Sequence, residues 1–203
     1  MIWDYLMTYY SNKTTFSRRE AFMSNIYVIR HCLAQGQSPD APLTQTGMRQ
    51  ADSLADFFKD TTIHRILSSP FLRAVQSIEA ISKEKGIQIE IDHRLSERLL
   101  STKDLPDWYE KLQATFMDMD LSFDGGESSK EAMDRIVNVV EEAVARNVEN
   151  TLLVSHGNII TLLLKHYNKD IDFQCWKDLS NPDVFVLQVK HNNIVIERVW
   201  NPQ

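Results

Sequence analysis

Four side chains with cationic or ring nitrogens stand at predicted strand ends, where their chemistry suits a phosphate group. Arg30 and His31 directly follow the apolar run IYVI. Arg73 lies in the first turn of a predicted helix, and His156 directly follows the apolar run TLLVS. The planar, always charged guanidinium of arginine matches two phosphate oxygens at once. These residue types therefore predict a site that binds a dianionic phosphate group.

Strands alternating with helices must bring these side chains together. Short apolar runs predict strands, and apolar residues at helical spacing predict helices between them. The expected strands span residues 26–29, 63–67, 87–91, 151–155, 184–189 and 194–199, and the expected helices span 44–59, 69–86, 108–117, 129–146 and 159–166. This alternation indicates an α/β fold, a three-layer α/β/α sandwich whose mixed sheet is mainly parallel and carries helices on both faces. Residues 191–193 are expected to turn the final hairpin.

In such sheets the ligand site lies outside the carboxyl ends of the strands, where the four nitrogen-rich side chains are expected. Arg73 and Gly157 also lie near helix N-termini, whose free N–H groups and dipole favour an anion. Thr44 is expected to cap the first helix, with Gly47 weakening its first turn. Ser68-Ser69-Pro70 predicts a serine cap followed by proline, and Gly86 predicts a helix C-terminus.

Composition and charge limit the classes of partner. The formal net charge is −6 and the pI is about 5.5. The chain therefore lacks the positive field with which proteins attract nucleic acids or anionic membranes. The two cysteines, Cys32 and Cys175, are too few for a disulfide scaffold, and no run reaches the length of a membrane span. We expect a cytoplasmic protein with an N-terminal extension, residues 1–23, and a single domain, residues 24–203.

Six blocks in a fixed order carry a resemblance to a known family: VIRHC, PLTQTG, SSPFLRAVQS, RLSER, GGES and LLVSHGNII. Spread over residues 26–165, they resemble the phosphatase branch of the histidine phosphatase superfamily, also called phosphoglycerate mutase-like. The resemblance implies that His31 is the nucleophile and forms a phosphohistidine. It implies that Arg30, Arg73 and His156 bind the phosphoryl group, and that a carboxylate donates the proton.

Glu97 in the sequence Leu-Ser-Glu matches the family's proton donor. The alternative is an ion pair between Glu97 and its neighbours Arg94 or Arg98, which would contribute under about 1 kcal/mol. Gln37 stands where the mutases usually carry an asparagine that contacts phosphate, and its amide is able to donate there. Glu127 is expected to cap its helix or order the pocket wall.

The chain departs from the family pattern at Cys32, which replaces the glycine that usually follows the nucleophilic histidine. We expect a structural role for Cys32, with oxidation sensitivity as the alternative.

Hydrolysis is the expected reaction, because the interval between Glu97 and His156 lacks the larger insertion with which cofactor-dependent mutases enclose their substrate. The alternatives are a phosphoglycerate mutase primed by a bisphosphoglycerate, and a phosphate-binding module without turnover. The expected partner is a small phosphorylated substrate, with no metal and no cofactor. Trp108, Tyr109 and Phe116 line the substrate pocket or pack in the core, and the substrate and oligomeric state stay open.

Overall fold

The computed structural model describes residues 24–190 and 193–201, and one six-stranded sheet runs through them. The strands are β1 (Ser24–Arg30), β2 (Arg65–Ser68), β3 (Ile89–Ile91), β4 (Asn150–Ser155), β5 (Asp183–Lys190) and β6 (Asn193–Arg198). The helices are α1 (Gln45–Phe57), α2 (Leu72–Lys85), α3 (Trp108–Met117), α4 (Ser129–Ala145), α5 (Gly157–Tyr167) and α6 (Phe173–Lys177), with a 3₁₀ turn at His93–Leu95. The expected extension, residues 1–23, and hairpin residues 191 and 192 lie outside the described residues.

The strand order is β3-β2-β4-β1-β5-β6, in which the first four strands are parallel. β5 pairs antiparallel with β1, and β6 antiparallel with β5. This register sets Arg30 opposite both Ser155 of β4 and Asp183 of β5. The end of β1, the end of β4 and the beginning of β5 therefore meet at one edge of the sheet.

Helices cover both faces of the sheet, which confirms the three-layer α/β/α architecture. One apolar core joins the sheet to α3, α4 and α5, and a second joins it to α1 and α2. The central strand β4 is buried at all six positions, as expected for a strand covered on both faces. No helix within the described ranges is long and apolar enough to cross a membrane.

The first and second helices begin differently from each other. Thr44 caps α1 as predicted, accepting the N–H of Gly47 at 2.9 Å. The prediction of a serine cap for α2 was wrong, because the cap residue is Phe71, which makes no side-chain cap bond. The hydroxyl of Ser69 instead accepts the N–H of Phe71 at 3.3 Å and so closes the turn before the helix. Gly86 ends α2 at φ 66°, which confirms the predicted C-terminus.

Gly47 is required by packing rather than being only a weak point in its helix. A Cβ atom at this position would lie 2.0 Å from the carbonyl oxygen of Leu33. The absence of a side chain therefore lets α1 approach the turn that follows β1, and this turn contains His31.

Candidate active site

The environment of His31 fixes which ring nitrogen carries its proton. Nδ1 lies 2.7 Å from the carbonyl oxygen of Cys32, and Nε2 lies 3.2 Å from Nε of Arg73. A carbonyl only accepts and a guanidinium only donates, so Nδ1 bears the hydrogen and Nε2 presents its lone pair. His31 is therefore a neutral imidazole with Nε2 available as a nucleophile.

Burial keeps this imidazole neutral. Burial, together with the positive charges of Arg73 and Arg30, lowers the pKa of His31 from 6.5 to about 3, against the opposing effect of the bond to the Cys32 carbonyl. A buried imidazole beside two guanidinium groups gains a proton at a high cost. The lone pair on Nε2 is consequently present throughout the neutral pH range.

Arg30 is held by the segment that leads into β5. Its Nη1 donates to the carbonyl oxygens of Leu179, at 2.9 Å, and Ser180, at 3.3 Å. Burial lowers its pKa from the usual value, and the negative charges of Glu97 and Asp183 oppose that effect. The guanidinium is thereby fixed beside His31 and keeps further donors for a ligand.

Arg73 is fully buried and lies on the first turn of α2. Its Nη1 donates to the carbonyls of Gln37, at 3.2 Å, and Ser38, at 2.9 Å, while its Cζ lies 4.8 Å from the ring centre of Phe71. Burial lowers its pKa, against the opposing charge of Glu97. Both arginines thus converge on His31 from separate elements.

His156 adds a second imidazole ring beside His31. Its ring is fully buried, its centre lies 5.1 Å from that of His31, and its Nε2 lies 2.7 Å from the hydroxyl of Ser69. Burial lowers its pKa well below the ordinary value, and the neighbouring His31 and Arg73 act in the same direction. Ser69 therefore fixes the ring that faces the nucleophile.

Two buried nitrogens of the site have no hydrogen-bond partner within the described part of the chain: Nε of Arg30 and Nδ1 of His156. Buried donors are almost always paired, because each unpaired one costs about 1–3 kcal/mol. An anion with several acceptor oxygens, placed next to His31, would satisfy both. The arrangement therefore suits a phosphoryl group and its transfer to Nε2.

Glu97 lies at the N-terminus of α5, next to the same site. Its carboxylate oxygens accept the N–H groups of Asn158 and Ile159, each at 3.2 Å, and its charge opposes the lowering of the pKa values of Arg30 and Arg73 by burial. The alternative ion pair with Arg94 is wrong, because Arg94 pairs with Asp92 and Glu142.

Arg98, the other suggested partner of Glu97, is buried elsewhere. Its guanidinium donates to the carbonyl of Glu127 and to the hydroxyls of Thr115 and Ser129. The carboxylate of Glu127 pairs with Arg135, at 2.6 Å. The predicted capping role of Glu127 was wrong, since Ser128 and Glu131 form the capping box of α4. Glu127 instead binds Arg98 through its backbone carbonyl and Arg135 through its carboxylate, behind the segment that carries Glu97.

The structure places the two remaining predicted residues differently. Gly157 begins α5, and a Cβ there would lie 3.2 Å from Cζ and Nε of Arg30, so glycine leaves room for the guanidinium. Gln37 is exposed and contributes its backbone carbonyl to Arg73, with no side-chain hydrogen bond to the site. That the Gln37 amide donates to phosphate stays a prediction.

Cys32 is fully buried in the core beneath α1 and α2. Burial raises the pKa of its thiol to about 12, so the reactive thiolate is scarce near neutral pH. This environment favours the structural role over oxidation sensitivity.

The aromatic residues of α3 divide between two roles. Phe116 is buried against Phe173, with 5.7 Å between ring centres. Trp108 and Tyr109 are 50% and 37% exposed and contact Trp176 of α6. Phe116 therefore packs, and the other two form a partly open aromatic surface.

The sequence placed Ser69 at a strand end as part of a predicted helix cap, without its contact to His156, and it did not single out the segment 179–182. The segment supplies two carbonyls to Arg30, and the amide of Asn181 donates to the carbonyl of His31 at 2.7 Å. The predicted final hairpin carried the signal: a strand antiparallel to β1 begins at the edge where β1 ends. Residues just before β5 therefore lie at the same edge of the sheet as the end of β1.

Comparisons with known proteins identify the family to which the chain belongs. The profile described as "Histidine phosphatase superfamily (branch 1)" matches residues 26–202. A Hydrogenobacter thermophilus protein, provisionally named phosphoserine phosphatase 2, is 28% identical over 68% of this chain and 75% of its own. An Escherichia coli O1:K1 protein, provisionally named phosphoglycerate mutase GpmB, is 32% identical over 66% of this chain and 70% of its own.

Solved structures share the fold. That of mycobacterial glucosyl-3-phosphoglycerate phosphatase superposes with a TM-score of 0.71 at 22% identity, covering 89% of this chain and 100% of the other. Bacillus stearothermophilus YhfR superposes with a TM-score of 0.73 at 20% identity, covering 89% and 98%. At these identities the likeness concerns the architecture.

Proposed function

Since this chain belongs to the histidine phosphatase superfamily, we propose that it is a phosphatase that hydrolyses a small phosphomonoester through a phosphohistidine on His31. One observation carries the proposal. The Nε2 lone pair of a neutral His31 lies among the guanidinium groups of Arg30 and Arg73, where a phosphate would bind. The proposed nucleophile therefore lies next to the two guanidinium groups that would stabilise the charge of the transferring phosphoryl group.

The proposed reaction has two steps. In the first, Nε2 of His31 attacks phosphorus, the bond to the ester oxygen breaks, and protonated Glu97 gives its proton to the leaving alkoxide. In the second, the Glu97 carboxylate takes a proton from water, whose oxygen attacks phosphorus and breaks the N–P bond. Neutral His31, protonated Glu97 and inorganic phosphate result. Arg30, Arg73 and His156 hold the phosphoryl oxygens in both steps, and neither step uses a metal or a cofactor.

Hydrolysis of an aryl phosphate in the presence of EDTA tests the proposal, with wild type and His31→Ala compared under identical conditions. We expect turnover by wild type and a loss of more than about 1,000-fold in His31→Ala. Turnover by His31→Ala at the wild-type rate, or complete inhibition of wild type by EDTA, would exclude this mechanism.

Glu97 is best replaced by glutamine. The N–H groups of Asn158 and Ile159 donate to separate oxygens of Glu97, so the single amide oxygen of glutamine keeps one of these two bonds. The glutamine side chain no longer exchanges a proton. We expect Glu97→Gln to lose about 100- to 10,000-fold on alkyl phosphates, whose leaving groups need protonation, and far less on an aryl phosphate with an acidic leaving group. Equal losses on both substrates would remove Glu97 from the role of acid.

A phosphoglycerate mutase is the second candidate, favoured by the relatives provisionally named GpmB. If the purified protein binds vanadate but releases no phosphate, a bisphosphoglycerate-primed assay separates mutase from a binding module without turnover.

We further propose a cytoplasmic location, supported by the free thiols of Cys32 and Cys175.

A further inference from the structure

We propose that Gln50 and Asn181 are positioning residues that hold His31 in its nucleophilic tautomer; this inference rests on the proposed role of His31. Neither residue touches the expected position of the phosphate. Both bind the backbone of the turn that follows β1, and the carbonyl of Cys32 in that turn receives the Nδ1 hydrogen.

Two successive peptide planes in this turn are held at both ends. In the plane joining His31 to Cys32, the carbonyl accepts from Asn181 Nδ2 at 2.7 Å and the N–H donates to Ser77 Oγ at 2.8 Å. In the plane joining Cys32 to Leu33, the carbonyl accepts from His31 Nδ1 and the N–H donates to Gln50 Oε1 at 2.9 Å. The orientation of the Cys32 carbonyl is thus fixed from outside the turn.

Gln50 and Asn181 act as a pair. Nε2 of Gln50 donates to the carbonyl of Asn181 at 2.6 Å, so one glutamine joins α1, the turn after β1 and the segment before β5. Its amide has a single orientation that satisfies both bonds, because Oε1 must face the Leu33 N–H.

The chemical consequence concerns the lone pair on Nε2. If the Cys32 carbonyl turns away, Nδ1 loses its acceptor and the proton is free to move to Nε2. A protonated Nε2 has no lone pair for phosphorus and opposes the donor Nε of Arg73. The fraction of molecules with a competent nucleophile then falls, while the arginines that bind phosphate stay in place.

The location of Gln50 and Asn181 should let the fold tolerate substitutions at both positions. Gln50 and Asn181 line a groove of about 560 Å³ that is open to solvent and also includes Trp200. Water is able to occupy the space of a truncated side chain there, so variants of the pair are expected to fold.

The test compares Gln50→Leu and Asn181→Ala with the control Gln76→Leu. Oε1 of Gln76 accepts the N–H of Leu43 at 2.8 Å, so the control removes the same kind of bond from a neighbouring loop without touching the His31 turn. For each protein, kcat and KM for an aryl phosphate are measured. Two-bond ¹H–¹⁵N correlation spectra of histidine-labelled protein then report which nitrogen of His31 bears the proton.

We expect both variants to lose about 10- to 100-fold in kcat with nearly unchanged KM, and their His31 signals to show a mixture of tautomers. Gln76→Leu should match wild type in both readouts. The proposal is overturned if Gln50→Leu keeps the Nδ1–H tautomer and the wild-type kcat, or if Gln76→Leu loses as much. If wild type shows no turnover, the proposed function fails, but the spectra still test the positioning role. A mixture of His31 tautomers in Gln50→Leu but not in Gln76→Leu supports the role, and an unchanged tautomer in Gln50→Leu refutes it.

Discussion

At the scale of single residues, Gly157 shows how a missing side chain leaves room for Arg30 in the candidate site. Its φ is not positive, and the three atoms nearest to an added Cβ would all belong to the guanidinium of Arg30, at 3.2–3.3 Å. We expect Gly157→Ala to push Arg30 aside and raise KM about tenfold, while α5, which tolerates alanine well, keeps its stability. Steady-state kinetics and thermal unfolding measure the two effects.

The control is Gly36→Ala, in which the new methyl would lie 3.9 Å from Ala41 Cβ, an ordinary contact. This variant should leave KM unchanged. A wild-type KM in Gly157→Ala would mean that Arg30 adapts without cost.

Ser69 offers a second test at this scale. Ser69→Ala removes the only hydrogen-bond partner that the described residues give to Nε2 of His156. We expect kcat/KM to fall about tenfold, because a buried ring without its partner no longer keeps one orientation. Ser68→Ala is the matched control, since Ser68 is equally buried and donates to a backbone carbonyl. Equal kinetic losses in the two variants would assign Ser69 a purely structural role.

The sequence indicated residues at strand ends but not the partners that orient them. Arg30, His31, Arg73 and His156 stand where the apolar runs stop, and that signal is local. Ser69 touches a residue 87 positions away, and Asn181 one 150 positions away. Such pairs depend on strand register and side-chain conformation, and the type of a single residue does not reveal either of them.

At the scale of elements, the capping box of α4 is a test of stability that should leave the chemistry intact. Ser128 accepts the N–H of Glu131, and the carboxylate of Glu131 accepts the N–H of Ser128 at 2.7 Å. We expect Ser128→Ala to lower the free energy of unfolding by about 1 kcal/mol, measured by urea denaturation, with kcat unchanged below the transition.

The exposed Ser53 within α1 provides the control, because its hydroxyl only donates to the carbonyl four residues earlier. Ser53→Ala should change stability by less than about 0.5 kcal/mol. A fall in kcat of folded Ser128→Ala would instead link α4 directly to the site.

Element types were predictable, whereas several boundaries were not. The long amphipathic α4 and the apolar β4 follow their patterns to within about one residue. β2 was expected from residue 63 but begins at Arg65. The five-residue α6 was not predicted, since so short a helix carries no period, and its packing against α5 is tertiary.

At the scale of the whole molecule, the burial of His31 and His156 makes the stability of the fold depend on pH in the acid range. The pKa of His31 is about 3 in the folded protein and 6.5 for an ordinary histidine, and that of His156 is also strongly lowered. Between these values the unfolded chain binds more protons than the folded one, so the free energy of unfolding rises with pH. This contribution is complete above about pH 6.5 and is lost as the pH falls toward 3.

Each histidine that stays neutral in the folded state adds a slope of up to about 1.4 kcal/mol per pH unit. We therefore expect His31→Asn to reduce the slope of the unfolding free energy against pH between pH 4 and 6. The reduction should correspond to about one fewer proton taken up on unfolding, as measured by urea denaturation at several pH values. Gln76→Leu, which carries no titrating change, should shift the whole curve without altering its slope. An unchanged slope in His31→Asn would mean that His31 accepts a proton in the folded state, and the neutral nucleophile would then have to be generated by substrate binding rather than by the fold.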